Sequence, residues 1–386
     1  MQKILLKEFL DSEKSCGLIL VVCVALSLLL SNTPIGETYG GIWQVEVLGH
    51  SLVHIINDGL MTLFFLLIGL ELEREIYVGE LRRWHDAVLP LFAAVGGMLV
   101  PAAIYYIVTS NTAFASGVGI PMATDIAFAI AILSLLGSRV PAVLKVFLVA
   151  LAVIDDLGAI LVIAIFYAAD ISWIYLGLAL LIFLLLLVLN RCNVLRLWPY
   201  LLGGVAMWYL MLLSGVHATL SGVLLAFAIP FREHSASAPS FRLQHYLTKP
   251  IAFVVLPLFA LANTAISFGD AGLANVFLPS GVGALLGLLV GKPLGITLFV
   301  FVAVWLGAAT KPKALKWKYI LGVGLLAGIG FTMSIFITLL SFDSLPLISG
   351  TKVAILLASL LSGILGYVWL SMVLPRGDIQ KKDRLI

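Results

Sequence analysis

Between residues 15 and 374 the chain is a succession of apolar runs, most close to twenty residues long and separated by short polar breaks. A helix of roughly 20 residues crosses the hydrocarbon core of a bilayer, about 30 Å thick, so this repetition prescribes a bundle of membrane helices. The runs lack the period-two alternation of a membrane barrel, and helices satisfy their backbone hydrogen bonds within each segment. With 62% hydrophobic and 11% charged residues and a mean hydropathy of +1.13, a water-soluble globular fold is excluded.

Runs bounded by charges, Pro and Gly number twelve: 15–31, 51–72, 88–109, 116–137, 142–168, 171–190, 198–213, 215–231, 248–267, 280–306, 318–342 and 352–374. The seventh is short and ends at a Ser214-Gly215 break. The basic residues test this count, because Lys and Arg accumulate in short cytoplasmic loops. They occupy the N-terminus, alternate loops and the C-terminus. Arg82 and Arg83, Arg139, Arg191 and Arg196, the group from Arg232 to Lys249, and Lys311 to Lys318 mark the loops. Both termini are therefore expected in the cytoplasm. Lys352 borders an outer loop in this reading, and Lys292 fits no loop. The net charge of +3 reflects these orientation signals and does not point to nucleic acid. The first fourteen residues carry no small-residue cleavage site, which predicts a retained N-terminus. Cys16, Cys23 and Cys192 match neither a zinc nor a disulfide spacing and are expected to be packing residues.

Five ionisable residues fall inside the apolar runs: Asp58, Asp125, Asp155, Asp156 and Lys292. Each costs about 2.5–3.5 kcal/mol at a helix centre, so they must pair with one another or face water. In VALAVIDDLGAI, residues 149–160, the adjacent carboxylates lie roughly 100° apart around one helix and can border one cavity. Carboxylate oxygens are hard ligands for small cations, and a carboxylate withdrawn from water beside a second acid can hold a proton instead. That competition is a physical basis for exchanging one ion for the other. The bland alternative for one of the pair is a turn residue beside Gly158.

Asp125 lies in GIPMATDIAFAI, residues 119–130, where Pro121 predicts a break near mid-membrane. The positive end of the following half-helix would attract its carboxylate, and Thr124 is a candidate oxygen ligand or cap. A purely structural Thr-Asp cap is the competing reading. Downstream, GIGFTMSIF at residues 328–336 repeats a Gly-rich break followed by Thr in a helix of opposite direction. Residues 88–168 and 280–374 thus read as inverted-topology repeats, each with a broken middle helix. Lys292, in LLVGKPLGI, could neutralise the negative half-helix ends or pair with a buried Asp; a snorkelling lysine is the alternative.

ATDIAFA, ALAVIDDLGAI, SGVHATLSGV, GKPLGI and GIGFTMSIF, in this order, closely resemble the NhaA family of sodium/proton antiporters over nearly the whole chain. That family exemplifies the inverted-repeat architecture of secondary transporters. The resemblance implies a single all-α polytopic domain over residues 1–386. Its twelve transmembrane helices would include broken helices 4 and 11, crossing at mid-membrane. It implies Na⁺ or Li⁺ export in exchange for H⁺, electrogenically, from a bacterial inner membrane and without a cofactor. Asp155 and Asp156 would bind the cation (Na⁺) with Thr124 beside them, while Asp125 and Lys292 compensate helix dipoles. Glu71, Arg74 and Glu75 match a pH-responsive cluster, as do His217 and His245. Glu73, Gln244 and Thr248 depart from that pattern: an acid stands where a base is common, and a carboxylate and an imidazole are lost, which alters any pH threshold.

TYGGIWQVEVLGH, residues 38–50, alternates around Gly40-Gly41 and predicts an outer hairpin, whose family counterpart pairs two monomers in a homodimer. Competing functions are a passive cation channel, an ion-coupled symporter on the same architecture, and an intramembrane aspartyl protease. The clustered carboxylates argue against an organic-anion symporter, and no peptidase motif surrounds either acid.

Overall fold

The computed structural model describes residues 13–47, 49–167, 171–232, 238–268 and 275–375. Most basic residues of the two chain ends, from Lys3 and Lys7 to Arg376 and Lys381, lie outside them.

Helices dominate. In chain order they are α1 Glu13–Ser31, α2 Gly36–Trp43, α3 Leu52–Tyr77, α4 Trp84–Thr109, α5 Ile126–Leu135, α6 Ala142–Phe166 and α7 Trp173–Arg191. There follow α8 Trp198–Ser214, α9 Leu220–Ala228, α10 Pro239–Asn263, α11 Pro279–Trp305, α12 Trp317–Ala327, α13 Phe331–Ser341 and α14 Leu345–Val373. Among the described residues eight helices are long and apolar enough to cross a membrane, or nine if α12 and α13, bent by 47° at their break, form one span. The fourth, seventh and eighth apolar runs are represented by the shorter α5, α8 and α9.

Several boundaries differ from those that the apolar runs predict. Helix α10 begins at Pro239 rather than near 248, and α14 at Leu345 rather than 352. Proline fits the first helical turn, where its missing N–H has no intrahelical partner in any case. Both starts carry that signal, in Pro239 and Pro346. Lys352 consequently lies inside α14 and is buried, instead of bordering an outer loop. The Gly40-Gly41 pair is helical, not a hairpin turn, and Tyr39 and Trp43 pack edge to face at i,i+4 on α2. A two-residue antiparallel ladder does exist, but it pairs Glu46–Val47 with His50–Ser51. The break after α8 stands where Gly215 adopts φ 79°, a left-handed helix end that suits glycine.

Among the described residues two compact units emerge, one from 13–18, 83–155 and 275–375, the other from within 19–82 and 156–268. In the second, α3 packs on α9, α7 on α8, and α10 on α3. In the first, the main contact is α4 against α11, and α12 and α14 also pack on α11. Small residues govern the contact of α4 with α11. A Cβ added to Gly291 would lie 2.8 Å from the Pro101 Cα, and one on Gly295 would run into the Gly96 backbone, so the two helices meet backbone to backbone.

Proline also shapes helix interiors. Pro257 and Pro293 have no N–H for the carbonyl four residues earlier, and each follows a wide π-type turn, Ile251–Val255 and Gly287–Gly291. A third wide turn, Ile55–Leu60, carries Asn57 and Asp58.

Candidate functional site

The site is built in the first unit from two interruptions of helix. After a short 3₁₀ turn, Ala115–Gly119, the chain turns at Pro121 and runs without helix to Asp125, the N-cap of α5. The second interruption, Gly328 to Gly330, separates α12 from α13. Each leaves backbone groups without helical partners in an apolar interior, where an unpaired peptide group is costly. They satisfy one another. The Asp125 N–H donates to the Ile329 carbonyl at 2.6 Å, the Thr124 hydroxyl donates to the Ala327 carbonyl at 3.0 Å, and the Ser334 hydroxyl donates to the Ile120 carbonyl at 2.7 Å.

Asp125 is 3% exposed and caps both following half-helices. Its Oδ1 accepts from the Phe128 N–H at 3.1 Å in the first turn of α5, and its Oδ2 accepts from the Thr332 N–H at 3.1 Å and the Thr332 hydroxyl at 2.7 Å in the first turn of α13. One carboxylate thereby meets two positive helix ends. Sequence reasoning misses Thr332 except as part of the second motif; the matching Thr after each Gly-rich break is the signal that could have found it.

Lys292 and Asp155 form a pair with both side chains 0% exposed, Nζ to Oδ2 at 2.7 Å. Thr124 Oγ1 also stands 2.9 Å from that Oδ2, so its single proton is shared between Oδ2 and the Ala327 carbonyl, while Lys292 Nζ donates to Thr124 Oγ1. Thr124 therefore joins the pair to the C-terminal carbonyl of α12. The lysine reaches this point because glycines let its helix press close against its neighbours. Cβ atoms on Gly324 and Gly330 would approach Pro293 Cα and Leu288 Cδ2 to 2.8 Å each. The other oxygen of Asp155, Oδ1, is buried and has no hydrogen-bond partner among the described residues.

Asp155 is the last residue of the first unit's middle segment and Asp156, the next residue of α6, belongs to the second; Asp156 is 2% exposed. The remaining candidates belong to the second unit. Asp58 pairs with His54 at 3.1 Å, and the charge of His217 also bears on it. His217 is hydrogen-bonded to the Tyr167 backbone. Glu71, Arg74 and Glu75 share the last turns of α3, close enough for the charges of Arg74 and Glu75 to act on Glu71. His245 is exposed on α10, and Glu73 is buried. Among the described residues no group of three or more His, Cys, Asp or Glu side chains could hold a metal ion. The oxygens grouped at Asp155, from its own carboxylate, the Thr124 hydroxyl and the Ala327 carbonyl, are of the hard type that suits hard cations.

Buried opposite charges at the meeting of two interrupted helices are the mark of a membrane ion carrier. The sequence model of the family described as Na+/H+ antiporter 1 matches residues 7–370, and the chain belongs to that family. It is 57% identical to the Na(+)/H(+) antiporter NhaA of Cytophaga hutchinsonii over 95% of each chain. To the Na(+)/H(+) antiporter NhaA of Flavobacterium psychrophilum it is 55% identical, over 98% of this chain and 99% of that one. The fold is similar to that of the sodium proton antiporter MjNhaP1 from Methanocaldococcus jannaschii, with a TM-score of 0.56 at 17% identity over 97% of this chain and 99% of that one.

Proposed function

We propose that the protein is a sodium/proton antiporter in which Na⁺ or Li⁺ and H⁺ compete for Asp155 and Asp156, and in which the cation is exported by alternating access. The observation that carries this reading is a fully buried carboxylate with one oxygen held by Lys292 and Thr124 and the other without a protein partner among the described residues. Two positive charges cannot share one carboxylate cheaply in a medium of low dielectric constant. A sodium ion arriving at Asp155 must therefore displace or weaken a charge already there, whether a proton or the Lys292 ammonium. Asp156 supplies a second acid on the same helix, so that loading one cation can release more than one proton, which makes the exchange electrogenic.

In this reading the chain crosses a bacterial inner membrane twelve times with both ends in the cytoplasm. The inverted repeats at 88–168 and 280–374 contribute the two interrupted helices. Asp125 and Lys292 balance the half-helix ends, and Glu71, Arg74, Glu75, His217 and His245 adjust activity to pH. The ladder at Glu46–Ser51 would serve a homodimer.

The test is proton flux in sealed vesicles. An imposed sodium gradient drives protons the other way through the wild type, and Asp155→Asn or Asp156→Asn inserts normally but exchanges at background. Sodium flux without obligatory proton counterflow would make the protein a channel, and full exchange by both variants would remove the assigned site.

A further inference from the structure

We infer that Gly97, through the side chain it lacks, sets the size of cation that Asp155 takes, so that it is a specificity-determining residue of the exchange; this rests on the reading of Asp155 as the cation site.

Gly97 is buried on α4, on the side of Asp155 Oδ1, the oxygen without a hydrogen-bond partner among the described residues. A Cβ built on it would lie 3.7 Å from Asp155 Oδ1, with Ile296 Cγ1 at 3.0 Å and Ile296 Cδ1 at 3.4 Å as its closer neighbours. Its neighbour Gly96 has a different task, since a Cβ there would run into the Gly295 carbonyl and the Phe299 ring and push α4 off α11. The two adjacent glycines thus separate into one that permits the helices to touch and one whose missing side chain keeps a methyl group out of the narrow gap between Ile296 and the carboxylate.

While Lys292 and Thr124 hold Oδ2, the first approach of a cation to Asp155, before any charge is displaced, is on the Oδ1 side. Sodium, which has nearly the radius of Ca²⁺, sits roughly 2.3–2.6 Å from a carboxylate oxygen and gathers several more oxygens around it. Lithium, nearer in size to Mg²⁺, sits at about 2.0–2.1 Å with a tighter shell. A methyl group at van der Waals distance from Oδ1 takes space that the outer oxygens of sodium need and that lithium can spare. Pockets commonly discriminate about 10–200-fold on one such carbon.

The experiment compares Gly97→Ala with wild type in proteoliposomes, measuring the apparent KM for Na⁺ and for Li⁺ at one pH, alongside Asp155→Asn. The KM for Na⁺ is expected to rise about tenfold or more while that for Li⁺ changes less than about threefold. A general packing defect would move both ions together, and equal changes, or none, overturn the inference. If Gly97→Ala does not accumulate, Gly97→Ala with Ile296→Ala keeps the methyl and removes its tightest neighbour, and the same ratio is read against Ile296→Ala alone. Loss of exchange in Asp155→Asn with an unchanged ratio in the Gly97 variants defeats only the role of Gly97. Retained exchange in Asp155→Asn defeats the site itself.

Discussion

Replacing Lys292 with Ala should be among the most damaging single changes in the first unit. The ammonium has no exposure, lies 2.7 Å from a carboxylate with no exposure, and also donates to Thr124. Removing one partner of a buried ion pair strands the other charge, at a cost of about 3–5 kcal/mol. Asp155→Asn strands the ammonium instead, with a loss of similar size softened by the Thr124 hydroxyl. The double variant Lys292→Met with Asp155→Asn strands neither. Its destabilisation should fall short of the sum of the single losses by at least about 1 kcal/mol, as expected for groups in direct contact. The assay is thermal and denaturant unfolding in detergent, with a double-mutant cycle constructed from Lys292→Met and Asp155→Asn. In Lys292→Ala the loss should shrink as the pH is lowered, because the stranded carboxylate can then take a proton and shed its charge. Strictly additive losses, or melting indistinguishable from a Lys313→Ala control, would mean that Lys292 and Asp155 do not depend on each other for their burial.

Asp125→Ala removes one acceptor from the first turns of two half-helices and should cost about 2–4 kcal/mol, while Asp125→Asn retains part of that capping; unfolding in detergent checks the order. Gly295→Val should prevent accumulation of folded protein, since the added side chain meets the Gly96 backbone, whereas Gly177→Ala, with nothing within 4 Å of the new Cβ, should be neutral or slightly stabilising. Yield of monodisperse protein after extraction distinguishes the two.

The buried charges are legible in the sequence because an acid or lysine within an apolar run is an anomaly that demands a partner, and Asp155, Lys292 and Asp125 each have one. Pro121 announces the first interruption and Gly328 to Gly330 the second. That the interruptions satisfy each other's backbone through Thr124, Ser334 and Ile329 is beyond the sequence, since hydropathy carries no pairing information between residues two hundred positions apart. Gly97 is illegible for a different reason. A missing side chain in an apolar run leaves no trace, and its meaning appears only with Asp155 in front of it. The helix starts at Pro239 and Leu345 are misplaced when charge is taken to end a run, because proline in the first turn marks a start and a lysine such as Lys352 can be buried within a helix. The hairpin expected over residues 38–50 around Gly40-Gly41 is displaced, because a Gly-Gly pair is compatible with helix as well as with a turn: the pair lies within α2 and the antiparallel ladder falls at Glu46–Val47 and His50–Ser51.

Whether sodium and protons exclude each other at Asp155 and Asp156 can be read without transport, by calorimetric titration of the purified protein with NaCl in buffers of different ionisation enthalpy from acidic to alkaline pH. Sodium binding should release protons, and where protons compete one for one the apparent Kd should rise toward tenfold for each unit the pH is lowered. Sodium affinity equal at acidic and alkaline pH, with no protons released, would contradict that exclusion.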